Sequence, residues 1–274
     1  MKDRSDEQLI KTLTETEFDI PSGLPQEIVS RGERMVEPLC SLLTDEDDIW
    51  GSIHALHLLG EIGSPKATGA ILNWFRTDPG TDFVTEVGNT VLGRLGPEAV
   101  VPILEYINDS TCDAILRGVA ARGLVEIAYR HPDLRPDIAK RIVHLFQNIQ
   151  SSEDPELVTW LVCAFDSIDD EAVMAEIDAA FERGEVAGFA IGKEDVEHTR
   201  LRDKPWRSRG SDEDLMEYFS RDNLKYLSKI NSERKVDLHR DSTAVNMASQ
   251  KKAKKKSAKK KRKQAKKCRK KNRK

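Results

Sequence analysis

The chain lacks long hydrophobic runs and closely spaced cysteines, and each absence argues against a class of protein. No apolar stretch approaches the ~18–20 residues that would cross a bilayer, so no transmembrane segment is predicted. The N-terminal sequence MKDRSDEQLIKTLTETEF carries acidic residues where a secretory signal has an apolar stretch, so export is not indicated. Four cysteines stand far apart without a CxxC pair, which indicates free thiols in a reducing compartment. The predicted location is the cytoplasm.

The last 24 residues lack acidic side chains altogether. Residues 251–274 contain no Asp, Glu or aromatic residue, but they hold 17 of the chain's 44 Lys and Arg. Residues 1–250 therefore hold 27 basic against 47 acidic side chains, so the chain divides into a body of about −20 and a tail of about +17. Because like charges without large apolar residues cannot bury a core, we expect a disordered or helical tail outside the folded body.

The basic tail predicts contact with a polyanion, because each neutralised phosphate releases condensed counterions. Since the tail has no aromatic group to stack on bases, contact would be with phosphates and non-specific. RNA, DNA and the ribosome are open alternatives, as are an anionic membrane surface and a solubilising terminus without a partner. In a eukaryotic cell, KKKRK at 259–263 would serve for nuclear import. The predicted nucleic-acid-binding residues are Lys254, Lys255, Lys256, Lys259, Lys260, Lys261, Arg262, Lys263, Lys266, Lys267, Arg269 and Lys270.

An internal repeat with a period near 33 residues organises the body. Residues 54–75 read HALHLLGEIGSPKATGAILNWF and residues 87–107 read VGNTVLGRLGPEAVVPILEYI, and both contain L-G-x-[IL]-G between two apolar stretches. Four residues occupy the same position in successive units: Leu59, Leu92, Leu124 and Phe165. The spacings between them are 33, 32 and 41 residues. The last spacing is longer because HPDLRPD is inserted.

Each repeat unit predicts two amphipathic helices, because apolar residues recur at i, i+3, i+4 and i+7. Gly63 and Gly96 fall where the first helix ends and the chain reverses, a position that favours left-handed dihedrals. Pro97 suits the first turn of the next helix. Since one helix pair cannot cover its own apolar face, the pairs are expected to stack. The predicted fold is an all-α solenoid of about five helical hairpins.

The repeat suggests four parts along the chain. We predict an N-terminal helix or cap at 1–23, a repeat domain at 24–192, a charged linker at 193–250 and the Lys/Arg-rich tail at 251–274. The linker contains one predicted amphipathic helix, at 215–230, where LMEYFSRDNLKYLSKI keeps a helical apolar pattern.

The L-G-x-[IL]-G signature and the helix pairing resemble HEAT-like repeats of the kind found in phycobilin lyases. Residues ~24–200 resemble more closely a bacterial group of HEAT-like proteins of uncharacterised function, chiefly from HPDLRPDIAKRIVHLF through DPELVTWLVCAFDSIDDEAVMAEIDAAFERGEV. Some members of that group end in a cysteine-rich zinc motif called SEC-C. Here only KKCRKK around Cys268 is present, and one cysteine cannot build a four-ligand site.

His54, His57 and Glu61 lie about one helical turn apart and are the candidates for a metal site. HEAT-like metal hydroxylases use His-Glu pairs on such helices, so the resemblance raises this possibility. No His-Glu dipeptide occurs in any repeat, however, so buried or interfacial histidines are the preferred interpretation. No metal or cofactor is predicted.

The fourth repeat is unusually acidic, with eleven Asp or Glu and one basic residue in 151–185. One interpretation is a solvated cap at the end of the stack. The other is a dock for a basic partner, including the chain's own tail. The predicted dock residues are Asp166, Asp169, Asp170 and Glu171.

These patterns predict a monomeric, non-enzymatic scaffold or adaptor. The solenoid would bind an unidentified protein partner, and the tail would bind nucleic acid or the ribosome. The alternative is an enzyme or enzyme accessory of the HEAT-like lyase or metal-hydroxylase type.

Overall fold

The computed structural model describes residues 1–45, 48–77, 81–149, 155–200, 206–207 and 212–233. These residues form helices and the turns between them, and none of them forms a β-strand. The all-α prediction is therefore confirmed. The chain divides into a compact unit that ends at Ser220 and a second unit that begins at Arg221. The predicted tail at 251–274 lies outside the described residues.

The described part of the first unit contains twelve α-helices. They are α1 (Asp6–Glu15), α2 (Leu24–Ser30), α3 (Val36–Leu42), α4 (Ile49–Ile62), α5 (Thr68–Arg76), α6 (Thr81–Arg94), α7 (Val100–Asn108), α8 (Ala114–Arg130), α9 (Arg135–Asn148), α10 (Pro155–Phe165), α11 (Glu171–Glu182) and α12 (Lys193–Arg200). A short 3₁₀ helix follows at Leu215–Phe219. The second unit contributes α13, at 221–233.

The helices from α2 to α11 follow one another as five consecutive pairs, in agreement with the predicted number of hairpins. The first helices of successive pairs pack side by side in the order α4, α6, α8 and α10. In the second helices, α5 packs on α7 and α9 packs on α11. The unit is thus a stack of helix pairs in two rows, as expected when each pair needs its neighbours to bury its apolar face.

The turns inside the pairs have the geometry that their glycines and prolines predict. Gly63 ends α4 with φ 69°, and Gly96, between α6 and α7, has φ 85°. Both dihedrals are strained for residues with a Cβ. A 3₁₀ turn that starts at a proline then leads into the second helix, at Pro65–Ala67, Pro97–Ala99 and Pro132–Leu134.

The repeat-equivalent positions form the centre of the core. Four residues share one position in the repeat, and all four side chains are fully buried: Leu59, Leu92, Leu124 and Phe165. Because these residues lie in the first helices, the row from α4 to α10 is buried on several sides.

The segment after the stack differs from the predicted linker with one helix at 215–230. Its described part contains α12, the 3₁₀ helix at Leu215–Phe219 and α13 at 221–233. The predicted helix is divided at Ser220, whose backbone is extended with ψ 147°. Serine at this position is a favoured residue for the start of the following helix, so a local preference interrupts the apolar pattern.

Candidate functional site

The candidate site lies where residues 212–219, which we call the strap, cross the first helices of the stack. From its N-terminal end the strap contacts α8, then α6 and then α4. The strap thus crosses these helices in the reverse of their order along the chain. The 3₁₀ helix within it is started by the carboxylate of Asp214, which accepts a hydrogen bond from the Met216 backbone N–H at 2.9 Å.

The N-terminal half of the strap is acidic and makes polar contacts. Asp212 accepts a hydrogen bond from the Tyr129 hydroxyl of α8 at 3.4 Å. The Glu213 carboxylate accepts a hydrogen bond from the Thr90 hydroxyl at 3.2 Å, and its backbone carbonyl accepts one from Arg94 at 2.6 Å. Both of these donors lie on α6. Arg94 also forms an ion pair with Glu61 of α4, which holds its guanidinium between two helices and the strap.

The C-terminal half of the strap is apolar and aromatic. Leu215 is buried against Gly60 of α4, where a Cβ on that glycine would lie 2.6 Å from the Leu215 side chain. The Tyr218 ring stacks on His57, with centroids 3.8 Å apart and planes inclined by 19°. The Phe219 ring packs beside both histidines, with its centroid 6.0 Å from that of His54 and 6.3 Å from that of His57. The strap therefore closes over the face of α4 with its two aromatic side chains.

The hydrogen bonds of His54 define its tautomer. Its Nε2 lies 2.8 Å from the backbone oxygen of Glu17, and its Nδ1 lies 2.8 Å from the Tyr218 hydroxyl. Since a carbonyl only accepts, Nε2 carries the hydrogen, and in the neutral ring Nδ1 accepts from Tyr218. Glu17 has φ 46°, a left-handed conformation that is uncommon for a residue with a side chain. One imidazole thus joins the segment after α1 to the strap.

Burial keeps both histidines neutral. His54 is 0% and His57 is 8% exposed, and burial lowers the pKa of each to about 4. The His57 Nδ1 donates to the Ile53 carbonyl one turn earlier at 2.9 Å. The preferred interpretation of these histidines as buried residues is confirmed. Among the described residues, no group of three or more His, Cys, Asp or Glu side chains is arranged to hold a metal ion.

A polar crevice of about 470 Å³ lies at the other end of the first-helix row, beside α12. It is lined by side chains of both charges, among them Arg122, Asp166, Asp195, His198 and Arg207. The adjoining Trp206 has φ 60°, and its backbone N–H donates to the Ser167 carbonyl at 2.8 Å.

The four predicted dock residues have different environments. Asp169 and Glu171 are exposed, whereas Asp166 and Asp170 are half-buried. The Asp170 carboxylate caps α11, because it accepts hydrogen bonds from the backbone N–H groups of Ala172 and Val173. Asp166 accepts one from the Thr199 hydroxyl of α12 at 3.3 Å. Two of the four carboxylates thus have structural contacts within the chain.

The twelve predicted nucleic-acid-binding residues, Lys254 to Lys270, lie outside the described residues. The sequence also did not predict the contacts of Thr90, Arg94 and Tyr218. The available signal was the apolar spacing of Leu215, Met216 and Phe219, which marked a packed segment without indicating its partner.

Comparison with known proteins places this architecture in a family. The profile described as "Protein of unknown function (DUF1186)" matches residues 25–209, more than half of the chain. The chain belongs to this family. No curated protein and no solved structure matches it significantly.

The DUF1186 match covers α12, Trp206 and the five helix pairs except for Leu24, the first residue of α2. It leaves out α1 with Glu17, and it leaves out the strap. The two segments outside the DUF1186 match therefore meet on the same side chain, His54, from opposite ends of the chain. Of the described helices in this DUF1186 protein, none is both long and apolar enough to cross a membrane.

Proposed function

We propose that this DUF1186 protein is a non-enzymatic scaffold built on HEAT-like repeats. Its helix stack binds a protein partner, and its basic tail binds polyanions such as RNA, the ribosome or DNA without sequence preference. The observation that carries the proposal is the charge distribution of the chain, a body of about −20 followed by a tail of about +17. A cationic segment of this density binds phosphates through counterion release.

The composition of the tail supports non-specific contact. Lysine and arginine make up 17 of its 24 residues, and no aromatic residue is present. Sequence readout of single strands relies on stacking and on contacts with base edges. The tail has the charges for phosphate contact and no aromatic group for stacking, so its affinity should follow phosphate density.

The packing of the stack supports a protein-binding role for the body. Stacked helix pairs present a continuous surface that neighbouring repeats share. On the second-helix row, a crevice of about 380 Å³ between α7 and α9 is lined by mixed side chains that include Leu104, Lys140 and His144. Such a surface offers apolar and charged contacts together, which suits a protein partner.

One observation favours the enzymatic alternative, a HEAT-like lyase or metal-hydroxylase type of activity. The crevice beside α12 places carboxylate, imidazole and guanidinium groups around one space of about 470 Å³. Concave sites with several titratable groups are the usual places for chemistry. Stoichiometric iron or zinc in the purified full-length protein would favour this alternative over the scaffold.

The decisive experiment for the scaffold measures RNA binding by the full-length protein as the salt concentration rises. We expect log K to fall linearly with log salt, by roughly 0.7 for each phosphate engaged on a single strand. Charge reversal at Lys259, Lys260, Lys261 and Lys263 should weaken the binding of every RNA sequence alike. The matched variant with arginine at the same positions should bind normally. Salt-independent or strongly sequence-selective binding would refute the proposal for the tail.

A pull-down separates the role of the stack from that of the tail. Wild-type and charge-reversed proteins are compared, each with and without nuclease. A protein partner that the stack binds directly should be retained by both proteins after nuclease treatment. Loss of every protein partner with nuclease would contradict the proposed role of the stack.

A further inference from the structure

The strap lies in a groove whose walls are helix side chains. The walls come from α4, with His54, His57 and Gly60, and from α6, with Thr90 and Arg94. We call these five residues the strap groove. Thr90 and His54 are fully buried, and each makes a hydrogen bond with a strap side chain. The groove is thus both shaped for and chemically matched to an extended segment.

The strap binds this groove through a pattern that a short peptide could reproduce. Its acidic part meets polar donors of α6, because Thr90 donates to the Glu213 carboxylate and Arg94 donates to the Glu213 carbonyl. Its apolar part inserts Leu215 against Gly60 and lays the Tyr218 ring on His57. Acidic residues followed by a leucine and an aromatic pair are therefore the features that the groove recognises.

The groove is notable because the body around it is acidic. With a net charge of about −20 over residues 1–250, an acidic segment is repelled from most of this surface. At the acidic part of the strap, α6 supplies two donors: the Thr90 hydroxyl donates to the Glu213 carboxylate, and the Arg94 guanidinium donates to the Glu213 carbonyl. These donors therefore select the position of an acidic ligand, and the aromatic contacts hold it there.

We propose that the strap groove is a docking site for an acidic–aromatic segment of a partner protein, with the strap as its internal competitor. This inference rests on the proposed role of the stack in protein binding and names the chemistry of the partner. A tethered segment has an effective concentration on the order of mM for its own site. A partner segment must therefore bind more tightly than the strap, or bring further contacts, to displace it.

The test uses a labelled peptide with the sequence of residues 211–220, SDEDLMEYFS, and the full-length protein. Wild-type protein should bind it weakly, because the tethered strap occupies the groove. Tyr218→Ala removes the stacking on His57 and the hydrogen bond to His54, so fluorescence anisotropy should show peptide binding tighter by about tenfold or more. The control Tyr226→Ala, at an exposed tyrosine in α13, should leave peptide binding at the wild-type level.

A second variant keeps the test valid if Tyr218→Ala fails to fold. Glu213→Lys reverses an exposed charge beside Arg94 and Thr90 without altering a core side chain, and it should also increase peptide binding. A peptide with alanine in place of its leucine and tyrosine should not bind either variant. Folding of each protein is checked by circular dichroism and thermal unfolding.

The outcomes separate this inference from the proposed function. If a folded strap variant binds the peptide no more tightly than wild type, the docking site is refuted. A dimer that forms by exchange of straps and that the peptide does not dissociate also refutes it. Since this assay contains no nucleic acid and no cell extract, either result leaves the pull-down and the RNA titration to decide the proposed function independently.

Discussion

At the scale of single residues, burial follows the repeat. Leu92 is fully buried in α6 at the position that it shares with Leu59, Leu124 and Phe165. Val101, in the neighbouring helix α7, is 51% exposed although it is also apolar. The two residues show that position in the repeat decides whether an apolar side chain is buried.

Leu92→Ala should lower the free energy of unfolding by about 2–5 kcal/mol, because it removes buried area and leaves a cavity. Val101→Ala is the matched control and should change it by less than about 0.5 kcal/mol. Urea unfolding followed by circular dichroism measures both. If Leu92→Ala lowers the free energy of unfolding no more than Val101→Ala does, the position in the repeat does not determine the contribution to stability.

The two buried histidines should make stability depend on pH. Their pKa in the folded protein is lowered to about 4, from 6.5 in an unperturbed side chain. The unfolded chain therefore takes up more protons, so stability that is present above pH 6.5 falls as the pH drops toward 4. From pH 8 to pH 5 we expect a loss on the order of 2 kcal/mol for each histidine.

His57→Phe tests this origin, because a phenyl ring can still stack on Tyr218 but cannot take up a proton. Urea unfolding at the two pH values should show about half of the wild-type loss. His144→Asn, at an exposed histidine of α9, is the control and should retain the full loss. An undiminished loss in His57→Phe would exclude this histidine as a source of the pH dependence.

At the scale of helices, the first row owes its close packing to glycines that face a neighbouring helix. A Cβ on Gly93 of α6 would lie 2.1 Å from the Cβ of Glu126 in α8. One on Gly123 of α8 would lie 2.8 Å from the Cβ of Leu92. These distances are shorter than any normal contact, so the helices could not remain where they are.

Gly93→Ala should therefore destabilise the protein by about 1–3 kcal/mol or more, as expected for an overpacked site. Gly69→Ala makes the same chemical change in α5, where nothing lies within 4 Å of the added methyl group. It should stabilise the protein by about 0.5–1 kcal/mol, because alanine loses less conformational entropy in a helix. Thermal unfolding of the two variants should therefore shift in opposite directions, and a common direction would contradict the close helix crossing.

At the scale of the whole molecule, the opposite charges of body and tail are tethered in one chain. We propose that the acidic fourth repeat, residues 151–185, competes with RNA for the tail at low salt through many weak ion pairs. Asp169 and Glu171 are the residues whose replacement tests this competition. Asp170 caps α11, so its replacement would also affect the helix, whereas Asp169 and Glu171 are exposed.

The double variant Asp169→Asn with Glu171→Gln should bind RNA more tightly than wild type at low salt, and the difference should vanish at high salt. The control Glu98→Gln with Glu105→Gln removes the same charge from exposed positions in another repeat and should have a smaller effect. Unchanged RNA affinity of the first variant at low salt would show that the acidic repeat does not compete for the tail.

The sequence by itself determined the helices, their pairing, the turns and the separation of charge. Gly63 and Gly96 could be assigned to turns because a positive φ is a local requirement. The buried face was readable because it repeats every helical turn and every repeat unit. Such features depend on neighbours along the chain.

Only the tertiary structure decided what the strap and the other glycines do. The contact between His54 and Tyr218 joins residues 164 positions apart, and no periodicity links them. Gly60 and Gly93, in the same motif as the turn glycines, are required by the helix or segment that packs against them. The apolar pattern at 215–230 was ambiguous for the same reason. It indicated residues to be buried, but the helices they pack against and the break at Ser220 depend on where the folded chain passes.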